Sequence, residues 1–510
     1  MAVISSSSEA SPAPPTLYRG TESMHIRLTL PALSPPEEFP ECTTATAKYP
    51  AKTHARSVAS RLPTKYGLIY LEGMPSQTFE DSDMSPKFRQ RRGFLYMSGV
   101  VDIPDCKLVY NIETDHLTLY IPPLDPNTVL WTGMPLGLEE CLKKYDIDAC
   151  SLTTSLTHDL LHYHLSHPLS PVYHLPTHTP HPAGIPSTLV LTTHHLSAAL
   201  STSRVYKTPF EISLIRHANA ITSAAHRAVL STLRSGYATN ETHLEAAFLS
   251  ACTARFAKTQ AYDPIIGAGR NAATLHYTLN SAPLKGRQLL LVDAAAEWQG
   301  YAADVTRTYP IPGSKISDEA RATYRLVEHM QAECIHRCVA GADFLELHRL
   351  AHRLAVRGLL KMGILRGREE EILLAGTSRA FFPHGLGHML GLDVHDVDLP
   401  PIPSSSCSSS PTTPTTAHVV DEVLPLHRGE KARIMAPRLL EENMVVTIEP
   451  GIYFCEWIVT PYLRDPVHAR FICEKVLDRF WDVGGVRIED DILILATGRG
   501  NDNLTGAPKW

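Results

Sequence analysis

The chain has 510 residues, too many for one compact core, so two or three domains are expected. Hydrophobic residues make up 44% and charged residues 20%, the balance of a globular protein. A formal net charge of −6 leaves no basic surplus to neutralise phosphates, which argues against nucleic acid or an anionic membrane as partner, and no apolar run reaches the length of a membrane helix.

Residues 1–45 read as a disordered tail. The opening MAVISSSSEASPAPPTLYRG lacks the basic start and apolar block of a secretory signal, and Glu9 speaks against a transit peptide. The ten cysteines are scattered singly, with Cys334 and Cys338 closest and no CxxC, which fits reduced thiols and a cytoplasmic location. Residues 46–160 read as an α/β unit. GLIYLEG (67–73) and KLVYNIE (107–113) look like strands, TLYIPP (118–123) and TVLWTG (128–133) are short apolar runs ended by Pro or Gly, and GLEECLKKYDID (137–148) reads as a short helix. Residues 161–204 read as a connection rich in Pro, Thr, Ser and His. Nine histidines fall between His158 and His195, but Asp159 is the only carboxylate of the stretch 151–204 and no cysteine occurs there. An exposed connection of biased composition is therefore favoured over a metal-binding tract.

A second domain is expected over 205–497. Thr208, Pro209 and Glu211 form a capping-box start, and apolar residues then recur at helical spacing through Ile212, Ile215, Ala218, Ile221 and Ala225. Further helices are expected over 241–257 and from Ser317 and Asp343. Strands are expected in RQLLLVDA (287–294), ADVTRTYP (303–310), MVVTIEPGIYF (444–454) and GVRIEDDILI (485–494). Helices and strands interleave without short βαβ spacing, so the fold class is α+β with a mainly antiparallel sheet. The Ser/Thr/Pro-rich stretch 400–418 reads as a surface insertion, and 498–510 as a C-terminal tail.

Four acids sit in apolar strand contexts of this domain: Asp293 ending LLLVD, Asp304 in YAADVTRTYP, Glu449 in VVTIEPGIY and Glu489 in GGVRIEDDI. Taken singly, each is an ordinary strand-end or capping carboxylate; four together with an imidazole make a hard-oxygen site suited to manganese or a related divalent ion. The imidazole is sought in FFPHGLGHMLGLDVHD (381–396). His384 and His388 stand four apart, as in a zinc-binding helix. Yet Gly385 and Gly387 interrupt the spacing, Pro383 precedes it, and the Glu of HExxH is missing. A tight glycine-bearing segment presenting the rings at different angles is expected instead.

With these residues in place the C-terminal domain resembles the metal-dependent peptidases of the pita-bread fold, in their proline-specific branch of aminopeptidase P and prolidase. Five blocks carry the likeness in family order: GAGRNAATLHYTLN (267–280), LVDAAAEWQGYAADVTRTYP (291–310), FFPHGLGHMLGLDVHDV (381–397), VVTIEPGIYF (445–454) and GGVRIEDDILI (484–494). RRGFLYMSGV (91–100) and LYIPPLDPNTVLWTGMP (119–135) resemble the creatinase-like domain that precedes catalysis in this branch.

The resemblance implies two Mn2+ ions, replaceable by Co2+ or Zn2+, held by Asp293, Asp304, His388, Glu449 and Glu489. It makes Asp304 and Glu489 the bridging ligands. It gives His276 a place against substrate, His384 a place beside the proline ring and His395 contact with the substrate carbonyl. Arg487, two residues before Glu489 on one strand face, orients a carboxylate or substrate group, and Thr306 stands in the same relation to Asp304. The implied reaction is hydrolysis of the bond between an N-terminal residue and a following proline. Its nucleophile is a hydroxide held between the ions, and Glu449 shuttles the proton. Peptides with proline second are the implied partners, and a homodimer through the N-terminal domain is suggested. A strict Xaa-Pro dipeptidase shares the ligand set; HRLAHRLAVRGLLKMGIL (348–365) ahead of HGLGH has a prolidase-like character. An inactive peptide-binding relative would have lost ligands, and a metal-free creatinase-like enzyme would not need all five.

Overall fold

The computed structural model describes residues 47–176, 189–397 and 439–510. The expected N-terminal tail, the insertion 400–418 and the middle of the His-rich stretch lie outside the described residues.

The N-terminal part is built on a six-stranded sheet of β1 (Leu68–Glu72), β2 (Lys107–Asn111), β3 (His116–Ile121), β4 (Ala149–Leu152), β5 (Pro171–Tyr173) and β6 (Val190–Thr192), in the order β4-β3-β2-β1-β5-β6. β1, β2 and β3 form an antiparallel meander, and the outer pairings are parallel. The core strand LIYLE is buried on both faces, which is why it reads as a continuous apolar run. Ile69 and Leu71 pack with α1 (Ala51–Ser60) and α2 (Arg92–Ser98), while Leu68 and Tyr70 face Leu156 and Leu160 of the opposite layer.

Two short helices follow the meander: α3 (Pro126–Thr132) and α4 (Leu138–Lys144). The apolar run TVLWTG falls in α3, because the Asp125 side chain accepts from Asn127 N and Pro126 takes the first helical position. The stretch 161–204 carries more structure than a connection. Its first residues complete α5 (Leu156–Ser166), its last form α6 (Leu196–Val205), and between them β5 and the edge strand β6 join the sheet. Each of those strands is three residues long, too short to impose a readable alternation on a Pro- and His-rich sequence.

The second part opens with α7 (Pro209–Arg234), where Thr208 Oγ1 accepts from Glu211 N at 3.3 Å and Glu211 Oε2 accepts from Thr208 N at 2.8 Å. α8 (Glu241–Thr253), α9 (Asp318–Arg337) and α10 (Phe344–Lys361) follow. Between and after them run β7 (Thr259–Gln260), β8 (Ile265–Ala268), β9 (Leu289–Asp293), β10 (Ala296–Trp298), β11 (Tyr301–Ala302) and β12 (Thr306–Pro310). The last strands are β13 (Val445–Ile448), β14 (Gly451–Tyr453), β15 (Gly485–Arg487), β16 (Asp490–Ile494) and β17 (Asn501–Asn503). Every pairing among these eleven strands is antiparallel, as the α+β reading required.

Two stretches that read as single strands are each broken in the middle. Glu449–Pro450 separates β13 from β14, and Ile488–Glu489 separates β15 from β16. The breaks free both glutamates from the ladders at the point where the strands meet. Residues 498–510 are not a loose tail: β17 pairs with β16, the buried Arg307 donates to Ala507 O at 2.9 Å, and Tyr309 Oη donates to Pro508 O at 3.1 Å.

The two parts share one apolar cluster, in which Phe94 and Leu95 of α2 meet Leu214 and Ile215 of α7 and Val445 and Leu493 of the C-terminal strands. Among the described residues no helix is long and apolar enough to cross a membrane.

Candidate metal centre and active-site cleft

Sheet register brings the acids together. In the β9–β12 pair Asp293 stands opposite Thr306, and Asp304 lies just before β12, so both aspartates emerge at one end of the hairpin. Glu489 N donates to Thr306 O at 3.0 Å, which docks the β15–β16 break on the same end. Arg307, 1% exposed, pins that break by donating to Glu489 O at 2.7 Å and pairing with Asp490 at 2.7 Å. The fourth acid arrives with the glycine-bearing segment. Residues 386–390 run antiparallel to β13: Glu449 N donates to Leu386 O at 2.8 Å, Thr447 N to His388 O at 2.9 Å and Leu390 N to Val445 O at 3.0 Å. A Cβ on Gly387 would run into Thr447 O, so only glycine lets the two backbones lie this close. HGLGH is therefore an extended, irregular segment and not a zinc-type helix, in line with its glycines and Pro383.

The predicted metal-site residues converge. Ligand atoms lie within 4.8 Å of one another in three groups: Asp293, Asp304 and Glu489; His388, Glu449 and Glu489; and Asp304, His388 and His395. The centre opens into a cleft of about 560 Å³ that is also lined by Tyr262, Asp263, His276, His384 and Arg487. His276 and His395 are exposed to it. The His395 ring centroid lies 4.3 Å from that of His388.

The electrostatics ask for added positive charge. Asp293, Asp304 and Glu489 are buried, and among the described residues Arg487 is the one Lys or Arg side chain lining the cleft. Burial, reinforced by the charges of Asp304, Glu449 and Asp293, holds the Glu489 carboxyl well above its usual range. Burial also pushes Glu449 up to about 7 and raises Asp293, against the opposing pull of His388 and Arg487 respectively. His388 Nδ1 faces its own chain at Met389 O, 3.0 Å away, which points Nε2 at Asp304 Oδ2 (3.3 Å) and Glu449 Oε1 (3.4 Å). Burial disfavours a proton on this ring. The hydrogen bond to Asp304 and the charges of Glu449 and Asp304 outweigh it and lift His388 to about 9. Four clustered carboxylates, three of them raised by burial and by their neighbours' charge, beside an imidazole whose proton they favour, fit divalent cations of oxygen preference.

Arg487 joins the acids to the cleft wall. Its Nη2 donates to Asp293 Oδ2, its Nε to Thr306 Oγ1 at 3.1 Å and its Nη1 to Tyr453 Oη at 2.9 Å. Thr306 Oγ1 in turn donates to Glu489 Oε2 at 2.6 Å, so Thr306 supports Glu489 more directly than Asp304. Tyr453 Oη lies 2.8 Å from His384 Nε2, and His384 Nδ1 lies 2.7 Å from Gly385 O. With the Arg487 proton directed at Tyr453, Tyr453 donates to Nε2 and Nδ1–H donates to Gly385 O. Burial and the Arg487 charge push His384 down to about 3, so it works as a neutral ring.

Two features escaped the sequence reading. Tyr262 Oη bridges Asp293 Oδ1 at 2.5 Å and Asp304 Oδ1 at 2.7 Å. It sits in TQAYDP, outside any quoted block, and only the β7–β8 turn brings it in. The second is a clamp on the loop that carries His395. Arg204 donates to Asp393 at 2.8 Å and Asp396 at 2.6 Å, Lys207 to Asp396 at 3.1 Å, and Arg92 of the N-terminal part to Asp393 at 3.1 Å. Asp396 is buried, and Arg204 and Lys207 offset that burial and hold its carboxyl below the usual range. A Cβ on Gly391 would strike the Asp396 carboxylate, which makes the glycine part of the clamp. The cations of SRVYK just ahead of the Thr208 cap were the legible sign.

An antiparallel fold that gathers four carboxylates and an imidazole at the floor of a peptide-sized cleft defines a metal-dependent hydrolase. The model for Metallopeptidase family M24 matches residues 213–496, and that for Aminopeptidase P, N-terminal domain, matches residues 52–169. The chain belongs to metallopeptidase family M24, as a pita-bread catalytic domain preceded by an aminopeptidase P-type domain. It is 44% identical over 467 residues to a probable Xaa-Pro aminopeptidase of Fusarium vanettenii, covering 91% of this chain and 95% of that one. It is 44% identical over 487 residues to a probable Xaa-Pro aminopeptidase of Pyricularia oryzae, covering 92% and 90%. Among solved structures, zinc-substituted Escherichia coli aminopeptidase P in complex with product matches with a TM-score of 0.71 at 28% identity, covering 91% of this chain and 97% of that one. Proline aminopeptidase P II from Yersinia pestis matches with a TM-score of 0.69 at 27% identity, covering 90% and 96%.

Proposed function

We propose that this chain is an Xaa-Pro aminopeptidase, removing the residue that precedes a proline in peptides of varied length. The observation that carries the reading is the convergence of Asp293, Asp304, His388, Glu449 and Glu489 at the floor of a cleft lined by three further histidines. Likeness to relatives named for this activity agrees with it. The boundary between the two domains is placed near residue 205, with β5 and β6 joining the N-terminal domain and residues 498–510 joining the catalytic one.

Those five residues would hold two divalent ions, manganese by the hardness of the donor set, with Co2+ or Zn2+ able to substitute. When bound, the ions supply Lewis-acid charge and a water that ionises near neutral pH. The chain's own groups do the rest. Glu449 accepts the proton released by the attacking water and hands it to the departing proline nitrogen, which has no N–H of its own in the substrate. His395 donates to the carbonyl oxygen of the scissile bond and stabilises the charge that develops there. His276, on the segment between β8 and β9, holds the substrate. His384, kept neutral and fixed by Tyr453, lines the wall beside the proline ring. Arg487 and Thr306 keep Asp293 and Glu489 in place.

The test compares an Xaa-Pro dipeptide with an Xaa-Pro-Yaa-Zaa tetrapeptide. Both should be cleaved, the tetrapeptide at its first bond. Activity confined to the dipeptide would make the protein a prolidase instead. A homodimer through the N-terminal domain is part of the same reading. Leu130, Trp131 and Met134, all strongly exposed in and just after α3, offer it an apolar face. Sedimentation at a monomer's rate at micromolar concentration would contradict it.

A further inference from the structure

Glu241, the first residue of α8, is completely buried, and among the described residues no cation pairs with it. Its carboxylate instead accepts four neutral donors. Oε1 takes Ala268 N at 2.7 Å and Asn271 Nδ2 at 3.0 Å; Oε2 takes Tyr277 Oη at 2.9 Å and Ala282 N at 2.8 Å. All four belong to one arch, residues 268–282, which starts at the end of β8 and returns to α8. Glu241 N donates to Ala282 O at 3.0 Å and Thr242 Oγ1 donates to Asn280 O at 2.7 Å. Asn280 completes the far foot: its Oδ1 accepts from Ile266 N and its Nδ2 donates to Pro264 O, each at 2.8 Å. One carboxylate thus ties both feet and the middle of the arch. Its crown carries Leu275, His276 and Thr278 into the cleft.

A buried charge with no counter-ion is costly, and a glutamine would avoid the charge. Four converging donors explain why glutamate stands here, since a carboxylate has about four acceptor sites and an amide oxygen about two. Glutamine would aim N–H groups at one pair of donors. Tyr277 could turn its hydroxyl and accept, whereas the N–H of Ala282 or Ala268 cannot. The helix N-terminus eases the charge further.

From this geometry we infer that Glu241 is a positioning residue for substrate binding, setting the place of His276 through the arch 268–282. The inference rests on the reading of His276 as a substrate-contacting group. Three measurements on the full-length, metal-loaded protein test it. Glu241→Gln should keep its metal content, raise hydrogen exchange in the arch above that of the wild type, and lower kcat/KM on the tetrapeptide about tenfold, the size of one lost hydrogen bond. The double variant Glu241→Gln/His276→Ala should be no slower than His276→Ala alone. Unchanged exchange in the arch overturns the inference, and so do additive effects in the cycle. If His276→Ala alone is fully active, the contact reading of His276 fails, and exchange in the arch still decides whether Glu241 holds it. Should Glu241→Gln not fold, Tyr277→Phe removes one of the four donors and should give a smaller change in the same direction, with an unchanged arch again contradicting the inference.

Discussion

Glu489→Gln protein should fold, lose most of its bound metal and show no measurable turnover. Glu489 belongs to two of the three ligand groups, one with Asp293 and Asp304 and the other with His388 and Glu449, so its substitution would take a donor from both. Its substitution should weaken metal affinity by more than the roughly 10–100-fold that follows loss of an outer-shell partner. The second half of the expectation separates this outcome from misfolding. Without metal, Glu489 is one of four mutually repelling acids, and its carboxyl is held well above the usual range by burial and by Asp304, Glu449 and Asp293. An amide of the same shape relieves that repulsion. The chelated Glu489→Gln protein should therefore melt at a higher temperature than the chelated wild type, a site that trades stability for function. Retention of two tightly held ions by this variant would show that Glu489 is not a ligand.

His395→Ala should behave in the opposite way, keeping both ions and losing about 10²–10³-fold in kcat, the size expected for one donor to a developing oxyanion. The structure makes this a sharp test, because a ring nitrogen of His395 lies close enough to Asp304 and His388 to join a ligand group. His388→Ala supplies the control, since that ring points its Nε2 between Asp304 and Glu449 and its loss should lower metal occupancy. Metal analysis beside steady-state kinetics separates the two. If His395→Ala loses metal as His388→Ala does, the division between a ligand and a carbonyl donor is wrong.

The site was legible where it depends on strand ends. A carboxylate closing LLLVD, another ahead of TRTYP and two glutamates interrupting β-rich runs are costly unless something gathers them, and the antiparallel register does gather them. The rejection of a helix in HGLGH also followed from local chemistry, and Gly387 against Thr447 O supplies its structural cause. The position of Tyr262 and the pairing of the SRVYK cations with Asp396 were not legible, although Arg204 and Lys207 stand out in the sequence, because each depends on contacts between residues tens to hundreds of positions apart. In the fold, the capping box at Thr208 marked α7 correctly. The three-residue strands β5 and β6 and the ordered C-terminus were hidden, the former by composition and the latter in part because two of its anchors are backbone carbonyls accepting from Arg307 and Tyr309. Backbone acceptors leave no trace in a sequence.

The clamp also bears on why an N-terminal domain accompanies this catalytic domain. Arg92 reaches from α2 to Asp393 at 3.1 Å and to Glu297 at 2.7 Å, so the loop bearing His395 is held partly from outside the catalytic sheet. The cleft wall that carries His395 is thus held from both parts of the chain.

Removal and return of metal tests the central claim most directly. The protein, stripped with a chelator and dialysed, should be inactive on an Xaa-Pro-Yaa-Zaa tetrapeptide. Titration with Mn2+ should restore cleavage of the bond before proline, reaching its plateau at two ions per chain. Full activity in the stripped protein, or none after saturation with Mn2+, Co2+ or Zn2+, would contradict the account.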